Sequence, residues 1–185
     1  MTVSWPNHLL TLEEWEALPE DSAIRLEIGE GVLVMSPRPV FRHQRAGMRL
    51  GYRFDEQLPS ELAAVTEVEV VIAEAPLTIR VPDVIVTRAD LFDDDPARCS
   101  AADVLLAVEI LSDGSRKIDR VLKFAEYAEA GIPHYWIVDL DEPATLLAHV
   151  LVDEAYELSG EHTGRATLEV AGHLVAVDLD ALTRR

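Results

Sequence analysis

The sequence predicts one α/β (α+β) domain, and three stretches predict it. They are a glycine-centred hairpin near the start, a strand–helix–strand unit in the middle and a set of short strands at the end. The hairpin joins residues 24–28 to 32–35 through Gly29-Glu30-Gly31, whose glycines permit positive φ. The middle unit is a strand over 104–111, a helix from about 116 to 130 and a strand over 135–140. So short a span implies a right-handed parallel crossover. The tail, 145–177, reads as short strands with turns at Asp153-Glu154 and Gly160. At 185 residues and 49% apolar content, the chain suits one domain over 1–185 with a sizeable core.

The remaining elements follow in order. Thr11 to Leu18 is a short first helix, with Thr11 as N-cap and Glu14 closing a capping box. Pro37 and Pro39 precede a helix over 41–58, where His43, Ala46, Leu50, Phe54 and Leu58 recur at helical spacing as its buried face. Residues 64–73 alternate as one half-buried strand. Residues 77–86 form another, with Pro82 inside it marking an edge, a bulge or a bend. Residues 90–100 are an acidic loop. Val104 to Leu111 is apolar apart from Glu109, the pattern of a central strand covered on both faces. Ser112 to Ser115 supply N-caps for the next helix. On that helix Ile118, Leu122, Ala125 and Glu129 define one face, and Asp119, Lys123, Glu126 and Tyr127 the adjacent one. Gly131 and Pro133 end it. Trp15, Tyr135 and Trp136 are packing residues.

Composition narrows the function classes. No apolar run reaches the roughly 20 residues of a membrane span, so no membrane partner is expected. The first residues lack a basic region followed by an apolar stretch, so no signal peptide is expected either. The single cysteine, Cys99, fits a reducing cytoplasm and excludes a cysteine-built zinc site. A net charge of −18 argues against a polyanionic partner, but its distribution weakens the objection. Between Gly31 and Phe54 there is no acid, and there are five arginines: Arg38, Arg42, Arg45, Arg49 and Arg53. A second basic cluster is Arg116, Lys117, Arg120 and Lys123.

The chemistry concentrates on Asp83, Glu109 and Lys123. Each acid sits in a strand-like apolar run, where an ionised carboxylate is costly unless compensated. Two such carboxylates on neighbouring strands repel each other, and a bound cation is one economical solution. A lysine one element later completes a divalent-metal phosphoesterase constellation. The bland alternative is a buried Glu109–Lys123 ion pair with no metal.

The ordered series Arg25-Leu-Glu27-Ile-Gly-Glu-Gly31, Met35-Ser-Pro37, His43-Gln44, Pro82-Asp83, Glu109-Ile-Leu-Ser112, Asp119-x-x-x-Lys123-x-x-x-Tyr127, Ala130-Gly-Ile-Pro133 and Tyr135-Trp-Ile-Val-Asp139 resembles the Uma2 family, over about residues 10–141. That family is grouped with the PD-(D/E)xK restriction-endonuclease-like fold and is bacterial. The resemblance implies a mixed central sheet flanked by helices with a metal site at its edge. The superfamily's compact pattern would put lysine at position 111, where this chain has Leu111; the family's helix lysine matches Lys123.

On this reading Asp83, Glu109 and the carbonyl of Ile110 hold Mg²⁺ or Mn²⁺, and Lys123 stabilises the phosphate or orients water. Glu27 is a further ligand or orienting group, or else an exposed partner of Arg25. His43 contacts phosphate or relays a proton, or is a satisfied core-edge histidine. Arg42, Arg45 and Arg49 are candidate phosphate contacts, or a solvated helix face. Gln44 and Ser112 stay outside the catalytic set. The leading expectation is a metal-dependent endonuclease acting on DNA; a homo-oligomer, as a homodimer, is expected of the chain and goes foremost with the non-catalytic reading. The competing readings are a nuclease-like binding or regulatory module, which the net charge favours, and hydrolysis of a smaller phosphate ester.

Overall fold

The computed structural model describes residues 7–18, 24–37, 39–112 and 118–184. α1 (Leu12–Glu16) opens with the expected capping box: the Thr11 hydroxyl accepts from the Glu14 N–H, and the Glu14 carboxylate accepts from the Thr11 N–H. β1 (Ile24–Gly29) and β2 (Val32–Pro37) form the hairpin. Its turn residues Glu30 and Gly31 both take positive φ, 51° and 79°, which matches the twist of paired strands. α2 (Phe41–Gln57) buries His43, Ala46, Leu50 and Phe54, as the helical period requires.

Two expected strands are each divided. Residues 64–73 become β3 (Leu62–Thr66) and β4 (Glu69–Glu74), which lie in different sheets. Glu67, at φ 54°, turns the chain between them. Apolar alternation runs straight through that turn, so the period hides it. Residues 77–86 become β5 (Leu77–Arg80) and β6 (Val84–Arg88), again in different sheets. Val81-Pro82-Asp83 is the crossover, where proline's missing N–H costs no ladder bond. The acidic stretch 90–100 is also more than a loop. It holds most of a 3₁₀ turn (Ala89–Asp93) and then β7 (Arg98–Ser100), which pairs in parallel with β4.

β8 (Val104–Ile110) is the central strand the sequence predicts, buried on both faces. The following helix begins with a π turn, Ile118–Leu122, and becomes α-helical as α3 (Lys123–Glu129). Asp113 to Ser115, expected as caps, and Arg116 and Lys117 lie outside the described residues, as do Pro19, Arg38 and the Asp119 side chain. The inward face of α3 carries Lys123 and Tyr127, while Leu122, Ala125 and Glu129 face solvent. Gly131, at φ 80°, is the expected C′ residue. β9 (His134–Asp139) then pairs with β8 in parallel. β10 (Thr145–Val152), β11 (Ala155–Thr163), β12 (Arg165–Val170) and β13 (His173–Asp178) follow, and α4 (Leu179–Thr183) comes after them. Asp153, at φ 54°, turns the chain as expected. Gly160 does not; it lies inside β11 opposite Ala148, where the ladder shifts register. Gly164, at φ 63°, makes the next turn.

The mixed central sheet has the order β11-β10-β9-β8-β6-β3. α2 covers one face, where Ala46, Leu50 and Phe54 pack with Val84, Leu106, Val108 and Trp136. α3 covers the other, where Tyr127 and Ala128 pack with Ala107, Tyr135 and Ile137. Alternation along β8 decides which helix each residue meets. Leu106, Val108 and Ile110 belong to the α2 side, and Ala107 and Glu109 to the α3 side. A second sheet, β2-β1-β5-β4-β7, has its own core of Leu10, Trp15, Ile28, Leu77 and Ile79. The sheets are joined where β5 hands over to β6. Trp15, Tyr135 and Trp136 are buried packing residues, as expected. Among the described residues, no helix is long and apolar enough to cross a membrane.

Candidate active site

The crossover Val81-Pro82-Asp83 draws charged side chains from both sheets and both large helices into one buried cluster. Asp83, Glu109, Lys123, Glu27 and His43 all belong to it, and all are buried.

Asp83 forms one pole. Its Oδ1 accepts from Arg25 Nη1 at 3.0 Å, and its Oδ2 accepts from the Ile110 N–H at 2.7 Å. His43 Nε2, from α2, stands 3.2 Å from Asp83 Oδ2 and 2.7 Å from the Ile110 carbonyl. A carbonyl oxygen only accepts, so Nε2 carries the proton. Burial pushes the Asp83 carboxyl up, but His43, Arg25 and the Ile110 N–H outweigh it and hold Asp83 below the usual carboxylate range. Burial pushes the His43 imidazole down, yet Asp83 and the Ile110 carbonyl prevail and raise it above its ordinary value. Arg25 also donates to the Val81 carbonyl, fixing the crossover itself. The sequence offered Arg25 as a partner for Glu27; the structure gives it to Asp83.

Glu109 forms the other pole. Its Oε1 accepts from Lys123 Nζ at 2.9 Å and from the Tyr127 hydroxyl at 2.8 Å, two groups one turn apart on α3. Lys123 Nζ also meets Glu27 Oε1 at 3.2 Å, and that oxygen accepts from the Val81 N–H at 3.1 Å. Glu27 is therefore an inward residue of β1, not an exposed one. Burial pushes its carboxyl up, but Lys123, Arg80 and the Val81 N–H hold it below the ordinary range. Burial, with Glu109 beside it, raises the Tyr127 phenol well above its usual value, so it stays a donor.

The cluster holds two residues that sequence reasoning gave no role. Arg80 ends β5 with no exposed surface. Its Nε and Nη2 grip the two carboxylate oxygens of Glu126 at 2.7 and 2.6 Å, and its Nη1 reaches Glu27 Oε2 at 3.3 Å. The available signal was a charge between Ile79 and Val81, inside the stretch 77–86 that reads as a strand.

The arginine stripe has mostly local duties. Arg49 donates to the Ala181 carbonyl and, at 2.7 Å, to that of Arg184, and so caps α4. Arg53 pairs with Glu56 at 2.8 Å, and Arg42 stands 4.0 Å from Asp141. Arg45 is half-buried. Beside Asp83 and His43 lies a hollow of about 40 Å³ lined by Gln44, Gly47, Met48, Thr66 and Glu67. It has room for a few waters and no more. Gln44 spans its rim to Glu67 at 2.9 Å, and Ser112 is exposed.

The geometry places an aspartate, a glutamate and a lysine from three elements around one strand end. A family model described as "Putative restriction endonuclease", that of Uma2, matches residues 12–180. The chain belongs to the Uma2 family. Its fold is similar to that of a protein from Anabaena variabilis ATCC 29413 described as "a putative nuclease belonging to DUF820", with a TM-score of 0.71 and 19% identity over 94% of this chain and 97% of that one. At that identity the likeness is one of fold. No protein of curated function matches the chain.

The Uma2 site suits a hard cation by donor type. The Asp83 and Glu109 carboxylates and the Ile110 carbonyl are all oxygens. Two of these donors, Asp83 Oδ2 and the Ile110 oxygen, lie close enough together that His43 Nε2 reaches both, and a cation would bind their remaining lone pairs. Among the described residues, no group of three or more acid, histidine or cysteine side chains is arranged around a metal position. The carboxylates are compensated instead by Arg25, Arg80, Lys123 and His43, and the ion pair offered as the bland reading of Glu109 is present.

Proposed function

We propose that this Uma2 protein is a divalent-metal-dependent endonuclease that hydrolyses DNA phosphodiester bonds. One observation carries the reading: a continuous unit from Asp83 through the Ile110 N–H to Glu109 and on to Lys123, with links of 2.7 and 2.9 Å. Asp83, Glu109 and the Ile110 carbonyl would hold Mg²⁺ or Mn²⁺, which supplies Lewis-acid polarisation of the phosphoryl oxygen and an activated water.

The protein's own groups do the rest. Lys123 holds a fixed positive charge for the pentavalent phosphate, at no reorganisation cost because Glu109 and Glu27 already orient it. His43 presents a protonated Nε2 beside Asp83 and can exchange that proton with a water in the adjoining hollow. Burial of Lys123 and His43 strengthens both effects.

The test is cleavage of supercoiled plasmid with Mg²⁺ or Mn²⁺ by the wild type and by Asp83→Asn, Glu109→Gln and Lys123→Met. Each variant is expected to lose about 10²–10³ in rate, the usual loss on removing one stabilising group. Undiminished cleavage by folded Glu109→Gln would sink the reading.

A second reading, a nuclease-like binding or regulatory module, is favoured by the net charge of −18 and by the internally balanced cluster. DNA bound without cleavage, with strong salt dependence, would select it. The homodimer goes with either reading, and sedimentation reports it.

A further inference from the structure

We propose that Arg80 and Glu126 are positioning residues that set where the Lys123 ammonium stands, an inference that rests on the catalytic reading of Lys123. The need for such a device arises in the backbone. Lys123 is the first residue of α3 and directly follows the π turn Ile118–Leu122. A π turn interrupts the i→i+4 ladder, so the helix phase at Lys123 is not inherited from a regular preceding turn. Core packing fixes α3 only downstream of Lys123, where Phe124, Tyr127 and Ala128 join the sheet, since Val121 and Leu122 at the turn are exposed.

The fork on Arg80 adds a polar hold within one turn of Lys123. Glu126 lies three residues after Lys123, a neighbour on the helix surface. Both its oxygens are gripped by one guanidinium, at 2.7 and 2.6 Å, from a side chain with 0% exposure. A bidentate planar contact fixes direction as well as distance. The same guanidinium holds Glu27 Oε2, and the other oxygen of Glu27 receives Lys123 Nζ at 3.2 Å. Arg80 thus acts on Lys123 twice, through the helix that carries it and through the carboxylate that receives it. Space for the guanidinium is made by Gly29, where a Cβ would lie 3.0 Å from Arg80 Nη2.

The chain contains only two lysines, Lys117 and Lys123, which makes the test specific. Full-length protein is treated with an amine-acetylating reagent, and the labelling of Lys123 relative to Lys117 is read by peptide mass spectrometry. In folded Glu126→Gln, Lys123 should label about tenfold faster or more, as expected for loss of local protection. Gly29→Ala, which crowds Arg80 without touching Lys123, should act in the same direction. Leu146→Ala, on the far part of the central sheet, lowers global stability but should leave the ratio near that of wild type. For plasmid cleavage, Glu126→Gln should lower kcat by about 10² with KM little changed, the effect of misplacing a catalytic group. An unchanged labelling ratio in both Glu126→Gln and Gly29→Ala would overturn the proposal. Absence of cleavage by wild type would overturn the catalytic reading instead, while the labelling ratio would still judge the positioning.

Discussion

The two acidic poles of the cluster solve the same problem in different ways. Asp83 is held by neighbours that come with the crossover: Arg25, the Ile110 N–H and the His43 imidazole. It lies beside a solvent-sized hollow. Among the described residues, Glu109 is held through Lys123 and Tyr127 of one helix, and that helix is itself held by Arg80 through Glu126. The first pole keeps redundant partners and a titratable one. The second depends on a relay of permanent charges. The difference teaches that burial alone does not define a site here; what matters is how many independent groups would remain if one were lost.

Removing Lys123 should break the comparison most severely. Lys123→Met takes from Glu109 and Glu27 the cation they share, and it should cost about 3–5 kcal/mol in urea unfolding, the range for breaking a buried ion pair by removing one partner. Adding Glu27→Gln should restore part of the loss. At the other pole, Arg25→Ala should cost less, about 1–3 kcal/mol, because His43 and the Ile110 N–H still satisfy Asp83. Equal losses at the two poles would show that the redundancy has no energetic meaning.

Titration sharpens the contrast with a smaller effect. Asp83 and Glu27 lie below the ordinary carboxyl values of 3.8 and 4.5. Their stabilisation is complete above those values and is lost as pH falls through the lower folded values. His43 lies above 6.5, so its contribution is present below that pH and is lost as pH rises through the raised folded value. Thermal unfolding from pH 2 to 9 should therefore show an acid loss and a separate, smaller loss above neutrality. Asp83→Asn should diminish both, while Glu109→Gln should leave the alkaline loss in place.

Much of this was legible in the sequence. The α2 face, the doubly covered β8 and the Gly131 stop all obey a simple period or a turn rule. Asp83 and Glu109 stood out because a charge inside an apolar run demands a partner, and Lys123 because it is the helix lysine of the family resemblance. The break at Glu67 was not legible because apolar alternation continues across it, and at Val81-Pro82-Asp83 the proline marked an irregularity without showing a change of sheet. Arg80 was missed because its partner, Glu126, is 46 residues away and its significance appears only when β5 meets α3. Arg49 read as a phosphate contact because nothing local marks the α4 carbonyls it caps.

The most direct test of the central claim is calorimetric titration of Mn²⁺ into the wild type and into Asp83→Asn/Glu109→Gln, with circular dichroism to confirm folding. The account predicts one saturable site in the wild type and none in the folded double variant. No Mn²⁺ binding by the wild type would contradict it, leaving Asp83 and Glu109 as members of a structural ion cluster.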